Sequence, residues 1–134
     1  MNAKTLDGKT YEWKIPERIA KGNKNKTSHL HQTAKMLLRA KYPNIEIYEE
    51  VPIRITGGRG RRILYLDFYL PSFLQAIEVN GQQHYSFNSM FHDNQMEFLK
   101  GKTRDAEKIM WCEINDIDLV TLKYDEISQW ETQI

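Results

Sequence analysis

The chain has 134 residues, 40% of them hydrophobic, with seven Tyr, five Phe and three Trp, enough to fill the core of one domain. No apolar run approaches the ~20 residues of a membrane span, the N-terminal MNAKTLDGKTYEWK lacks a signal-peptide apolar region, and the lone Cys112 excludes an internal disulfide. The expectation is a soluble, cytoplasmic protein with no membrane partner. The net charge of +1 hides an asymmetry, since residues 1–41 carry ten Lys or Arg against three Asp or Glu, whereas residues 42–134 carry nine against fifteen. A basic first third able to meet a polyanion precedes an acidic body.

In chain order, residues 1–26 read as a basic arm, with one short strand over 10–15 and a Lys-Gly-Asn-Lys-Asn-Lys linker that offers Lys24 and Lys26 to nucleic acid. Residues 27–134 read as the domain. Thr27-Ser28 opens a helix over 30–42, whose Leu30, Ala34, Leu37 and Leu38 recur at helical spacing until Pro43. Residues 45–55 alternate as a strand, and Gly57-Gly58-Arg59-Gly60-Arg61-Arg62 turns the chain while its three arginines form a second basic element. Strands are expected over 63–70 and 73–79, separated by Pro71-Ser72. Helices follow over 91–99 and, after a break at Gly101 and an N-cap at Thr103, to about 115, with Ala106, Ile109, Met110 and Ile114 as the second helix's apolar face. A strand over 119–122 and a helical turn over 127–130 end the chain. The fold class is α+β, a mixed central sheet of about four strands flanked by helices.

The segment ILYLDFYLPSFLQAIEVNGQQHY places one acid, Asp67 and then Glu78, in each of two apolar strands. Strands joined by so short a turn are antiparallel neighbours, which brings the two carboxylates together where the hairpin splays. An anion in an apolar strand is costly and a second beside it costlier. The strand FLQAIEV offers Glu78 no nearby lysine, so a divalent cation is the simplest compensation.

Asp67-Phe68-Tyr69-Leu70-Pro71, Glu78-Val79-Asn80-Gly81 with Gln83-His84, Arg104-Asp105 and the strand Asp118-Leu119-Val120-Thr121-Leu122 together resemble the PD-(D/E)XK nuclease superfamily, in particular its small branch of Vsr-like and phage-type single-domain endonucleases. The resemblance spans residues 28–126. It implies a restriction-endonuclease-like core and a divalent-metal-dependent DNA endonuclease acting in repair, recombination or phage DNA processing. It further implies Mg²⁺ or Mn²⁺ held by Asp67, Glu78 and the main-chain carbonyl of Val79, with His84 in proton transfer and Asp105 fixing its ring or reaching the metal through water. Asn80 stands where the superfamily has its name-giving lysine, a departure shared with the Vsr-like branch. Glu50, His31 and Gln83 are further candidates. DNA is the expected partner, with a homodimer or two sequential nicks needed to cut both strands. A catalytically silent DNA-binding module and an accessory subunit of a larger DNA-processing protein are the alternatives. Each residue also has a plainer role: Asp67 as a strand-end acid, Asp105 as a favourable charge at a helix N-terminus.

Overall fold

In the computed structural model, which describes residues 1–15, 29–57, 62–81 and 95–134, the chain opens with an antiparallel hairpin, β1 (Asn2–Lys4) and β2 (Thr10–Glu12). The helix α1 (His29–Lys41) follows, then β3 (Tyr48–Arg54), β4 (Ile63–Leu70), β5 (Gln75–Asn80), α2 (Gln95–Ile114), β6 (Asp118–Lys123) and a terminal α3 (Trp130–Gln133). Strands β3 to β6 form a sheet in sequence order. The first three are antiparallel, and β6 runs parallel to β5. A parallel return requires a crossover, and α2 provides it. The α+β class and the mixed four-stranded sheet expected from the sequence are both present.

Each face of the sheet carries its own core. On one, Ala34 and Leu38 of α1 and Trp130 and Ile134 at the C-terminus cover Phe68, Leu70, Ile77 and Leu122. On the other, Trp111 and Cys112 of α2, with Ala3 and Trp13, cover Val51, Ile53, Leu66, Tyr69 and Ala76. Trp13 joins the hairpin to this core. Its ring lies 4.8 Å from Tyr69 and 5.0 Å from Trp111, and its Nε1–H donates to the Pro52 carbonyl at 2.8 Å. Pro52 is tolerated because β3 is an edge strand. Residues 1–15, read from the sequence as part of a basic arm, are thus a folded piece of the core, held by the burial of Ala3 and Trp13.

Two expectations about α2 are corrected. Gly101 does not break it, and Thr103 is not its N-cap, because the helix runs without interruption from Gln95 to Ile114; an interior glycine costs only about 1 kcal/mol. The buried face is also different. Ala106, Ile109, Met110 and Ile114 are exposed, while Trp111 and Cys112 are buried. A tryptophan and its neighbour seated against Trp13 and Tyr69 remove more apolar area from water than the Ile–Met stripe would, and that decides the rotation of the helix.

Candidate active site

The β4–β5 hairpin is closed by a short 3₁₀ turn, Pro71–Phe73, followed by Leu74 in the left-handed region. Its register pairs Leu70 with Gln75, Tyr69 with Ala76 and Phe68 with Ile77. The next opposed residues are Asp67 and Glu78, and there the backbone ladder stops. Side chains take over from it: the Asp67 N–H donates to Glu78 Oε2 at 2.7 Å, and the Val79 N–H donates to Asp67 Oδ2 at 2.8 Å. Each carboxylate therefore satisfies a backbone donor of the other strand at the point where the strands part. Beyond it, among the described residues, residues 63–66 of β4 pair with β3 alone.

The same row continues into β3. The pairs Glu49–Phe68 and Val51–Leu66 flank Glu50 and Asp67, so Glu50 stands opposite Asp67 as Glu78 does on the other side. Glu50 has φ 50°, a left-handed conformation uncommon for a residue with a side chain. In regular strands Phe68 and Leu66, two apart, would share a face. Here Phe68 belongs to the α1 core and Leu66 to the α2 core. The pleat is broken at the Glu50–Asp67 step, and the acidic row lies at that break.

Helix α2 brings the counter-charge. Lys108 Nζ donates to Glu78 Oε1 at 2.6 Å, and Glu50, Leu64, Tyr65, Asp67, Gly101, Arg104, Asp105 and Lys108 enclose a cavity of about 360 Å³. Glu78 is only 6% exposed. Burial, and then the charge of Asp67, pushes its carboxyl from 4.5 up to about 8 against the pull of Lys108. Burial works against the Lys108 ammonium, yet Glu78, Asp67 and Asp105 outweigh it and hold the group above its ordinary value. Lys108 alone does not return Glu78 to its ordinary value. Cys112, beside it, is buried and has its thiol pushed up to about 12 by burial and by Glu78, as for a small inert hydrophobe.

Asp67 and Glu78 are thus brought together as the hairpin reading expected, the Val79 N–H is bound to Asp67, and Asp105 and Glu50 line the cavity that Asp67 also lines. Asp105 lies well inside α2, so a helix N-terminus does not account for it. Asn80 ends β5, where its carbonyl accepts from the Tyr124 N–H at 2.9 Å. His31 is directed to the opposite face. Its Nε2 lies 2.9 Å from Glu49 Oε1 and its ring 4.4 Å from Phe68, and Lys35 completes the cluster at 2.9 Å from Glu49 Oε2. Arg62 is engaged in a two-pronged ion pair with Glu107 of α2, its Nη2 at 2.8 Å from Oε1. Gln83, His84, Lys24, Lys26, Arg59 and Arg61 lie outside the described residues. Sequence reasoning missed Lys108, which reaches Glu78 from thirty residues away and corrects the expectation of a glutamate without a lysine partner. Its signal was helical spacing: Asp105, Lys108, Trp111 and Cys112 fall at i, i+3, i+6 and i+7.

Carboxylate oxygens are donors that a hard cation takes. Asp67 and Glu78 are opposed at this centre, the Glu78 carboxyl raised first by its burial and then by the charge of Asp67, and Mg²⁺ is commonly held by one or two carboxylates with water filling the remaining positions. Among the described residues no group of three or more His, Cys, Asp or Glu side chains gathers closely enough to hold a metal unaided. Also among the described residues, no helix is long and apolar enough to cross a membrane.

No protein-family model matches the chain, and no solved structure matches it significantly. The chain is similar to three viral proteins, each carrying the description uncharacterized protein. It is 35% identical to 307L of Invertebrate iridescent virus 6 over 69 residues, 52% of this chain and 35% of that protein. Protein 033L of Invertebrate iridescent virus 3 is 34% identical over 70 residues, 52% of this chain and 34% of its own length. Protein 094L of Frog virus 3 is 38% identical over 85 residues, 53% of this chain and 55% of its own length. The matches thus cover between about a third and about half of the relatives' length.

Proposed function

We infer that the chain is a divalent-metal-dependent DNA endonuclease that hydrolyses phosphodiester bonds at the Asp67–Glu78–Lys108 centre. The observation that carries this reading is the reciprocal bonding of Asp67 and Glu78 across a splayed hairpin, with an ammonium bound to the more buried carboxylate. The order of one helix, three antiparallel strands, a crossover helix and a parallel strand is what the resemblance to the PD-(D/E)XK nucleases implies, and it supports the same reading. So does Lys108, which supplies from α2 the cation that Asn80 lacks on β5.

Asp67 and Glu78, with the Val79 carbonyl, would hold Mg²⁺ or Mn²⁺, which when bound supplies charge neutralisation and Lewis acidity toward a phosphate. The residues of the chain do the rest. Lys108 stands beside Glu78, where its ammonium can donate to a phosphate oxygen or hold the attacking water. Arg104, on the cavity wall, supplies a fork-shaped donor for the adjacent phosphate. Glu78, then Asp67 and last Asp105 keep Lys108 protonated by their charge. His84 remains the candidate for moving a proton to or from the reacting oxygen. The similar proteins are all viral, which fits a role in processing viral or phage DNA.

A second reading is favoured by one feature. Both Glu78 oxygens are already taken, by the Asp67 N–H and by Lys108, as they would be in a silent DNA-binding module that has replaced its metal with a lysine. Incubating linear, nicked, mismatched and four-way DNA with the chain, in Mg²⁺ or Mn²⁺ against a chelator, separates the two. Metal-dependent strand scission on any substrate supports the nuclease; binding without scission in both metals supports the silent module.

A further inference from the structure

The cavity beside Asp67 has two unlike walls. One is formed by α2 and is charged, with Arg104, Asp105 and Lys108; the other is formed by β4 and is apolar, with Leu64 and Tyr65. Tyr65 is 54% exposed. Scattered exposed aromatics are ordinary on protein surfaces, but this one belongs to the wall of the acidic site, two residues before Asp67. It is also uncovered for a definite reason. Its partner across β3 is Pro52, a small ring, and on the other flank β4 has already parted from β5 at Asp67 and Glu78. The splay that frees the carboxylates therefore also frees an aromatic face beside them. Gly101 stands across the cavity, where even a methyl group would meet nothing closer than the Arg104 side chain at 3.7 Å. A flat group has room there.

We propose that this cavity receives a single unpaired nucleotide, its base stacked on Tyr65 and its phosphate directed to Arg104 and Lys108. The proposal rests on the nuclease reading for the identity of the ligand and narrows its substrate to DNA with a single-stranded segment, such as a tail, flap, loop or extruded base. The dimensions favour this. About 360 Å³ lies near the lower end of small-ligand pockets, roughly 300–1,000 Å³, the scale of one nucleotide. Within a duplex each interior base is covered on both faces by its neighbours, so away from the ends an unpaired base is the one that can present a face to the Tyr65 ring. Stacking also tolerates any base, so Tyr65 would select structure over sequence.

The test is fluorescence anisotropy in a chelator, which prevents cleavage, using a labelled single strand, the same strand fully paired, and a duplex with a single-stranded tail. The intact chain should bind the first and third about tenfold more tightly than the blunt duplex. Tyr65→Ala and Tyr65→Leu should both lose about tenfold on the single-stranded and tailed DNA with blunt-duplex affinity unchanged, and Tyr65→Trp should retain the preference. Leucine keeps apolar area without a stacking face, so equal affinity of Tyr65→Leu and the parent would overturn the proposal. Loss of affinity on all three DNAs alike, or an intact chain that prefers the blunt duplex, would overturn it too. Because the side chain is exposed, the near-ultraviolet signal of the buried Trp13, Trp111 and Trp130 should be kept in Tyr65→Ala and Tyr65→Leu. Cleavage is scored separately in Mg²⁺: a Tyr65-dependent preference without scission supports this proposal and removes the nuclease reading, while scission indifferent to Tyr65 does the reverse.

Discussion

Replacing Glu78 by Gln removes an ionisation that the fold resists. Glu78 is nearly fully buried, and its carboxyl is raised from 4.5 to about 8. Between those values the native chain holds a proton that the unfolded chain has released, so stability falls as pH rises. The full contribution is present below the unfolded value and is lost by the time pH passes the folded one. The slope is about 1.4 kcal/mol per pH unit, and across the interval the change is on the order of 5 kcal/mol. Glutamine cannot ionise. It offers Lys108 a neutral amide oxygen in place of a carboxylate, so its absolute stability at one pH is a poor guide, and the informative quantity is the difference in slope. Urea unfolding followed by tryptophan fluorescence between about pH 5 and pH 9 measures it. The parent should lose stability steadily over this range relative to Glu78→Gln, and the two profiles should become parallel above about pH 8. Parallel profiles throughout would mean that Glu78 ionises normally in the fold.

Lys108→Met should cut metal-dependent cleavage by about 100-fold or more and, by removing the cation that opposes the shift of Glu78, extend the loss of stability to higher pH; single-turnover cleavage and the same urea series read both. On the other face, burial pushes Glu49 up, but Lys35 and His31 outweigh it and hold the carboxyl below its ordinary value. That stability is present above the ordinary carboxylate range and is lost as pH falls through the lowered value, so Glu49→Gln should cost roughly 1–3 kcal/mol at neutral pH and flatten the acid limb of unfolding. Ile109→Lys with Met110→Lys should change stability by less than about 0.5 kcal/mol each, because the residues are exposed; a loss of several kcal/mol in thermal or urea unfolding would show that this stripe is packed after all.

The site was legible where local patterning determines it. Asp67 and Glu78 could be read because each interrupts a β-branched and aromatic strand and Pro71 fixes the turn between them, so register follows from chain order. Lys108 could not, because its partner depends on which face α2 turns to the sheet. The apolar count of Ala106, Ile109, Met110 and Ile114 argued for one rotation, and the tertiary contact of Trp111 with Trp13, nearly a hundred residues apart, imposed another. Glu50 was ambiguous for a related reason. Nothing in Tyr48-Glu49-Glu50-Val51 marks which glutamate faces the cavity, and the answer turns on a left-handed residue that glutamate rarely adopts. The hairpin of β1 and β2 was half-seen, since strands of three residues carry too little periodicity to be recognised alone.

The most direct measurement is cleavage of a tailed or branched DNA by the intact chain and by Asp67→Ala, side by side in Mg²⁺, with DNA binding measured for both. Asp67 accepts the Val79 N–H at 2.8 Å and faces the cavity, so its loss should abolish scission while binding is kept or tightened, a carboxylate that repels phosphate having been removed. If Asp67→Ala cuts at the parental rate, the acidic row is structural and the reaction, if there is one, takes place elsewhere on the molecule.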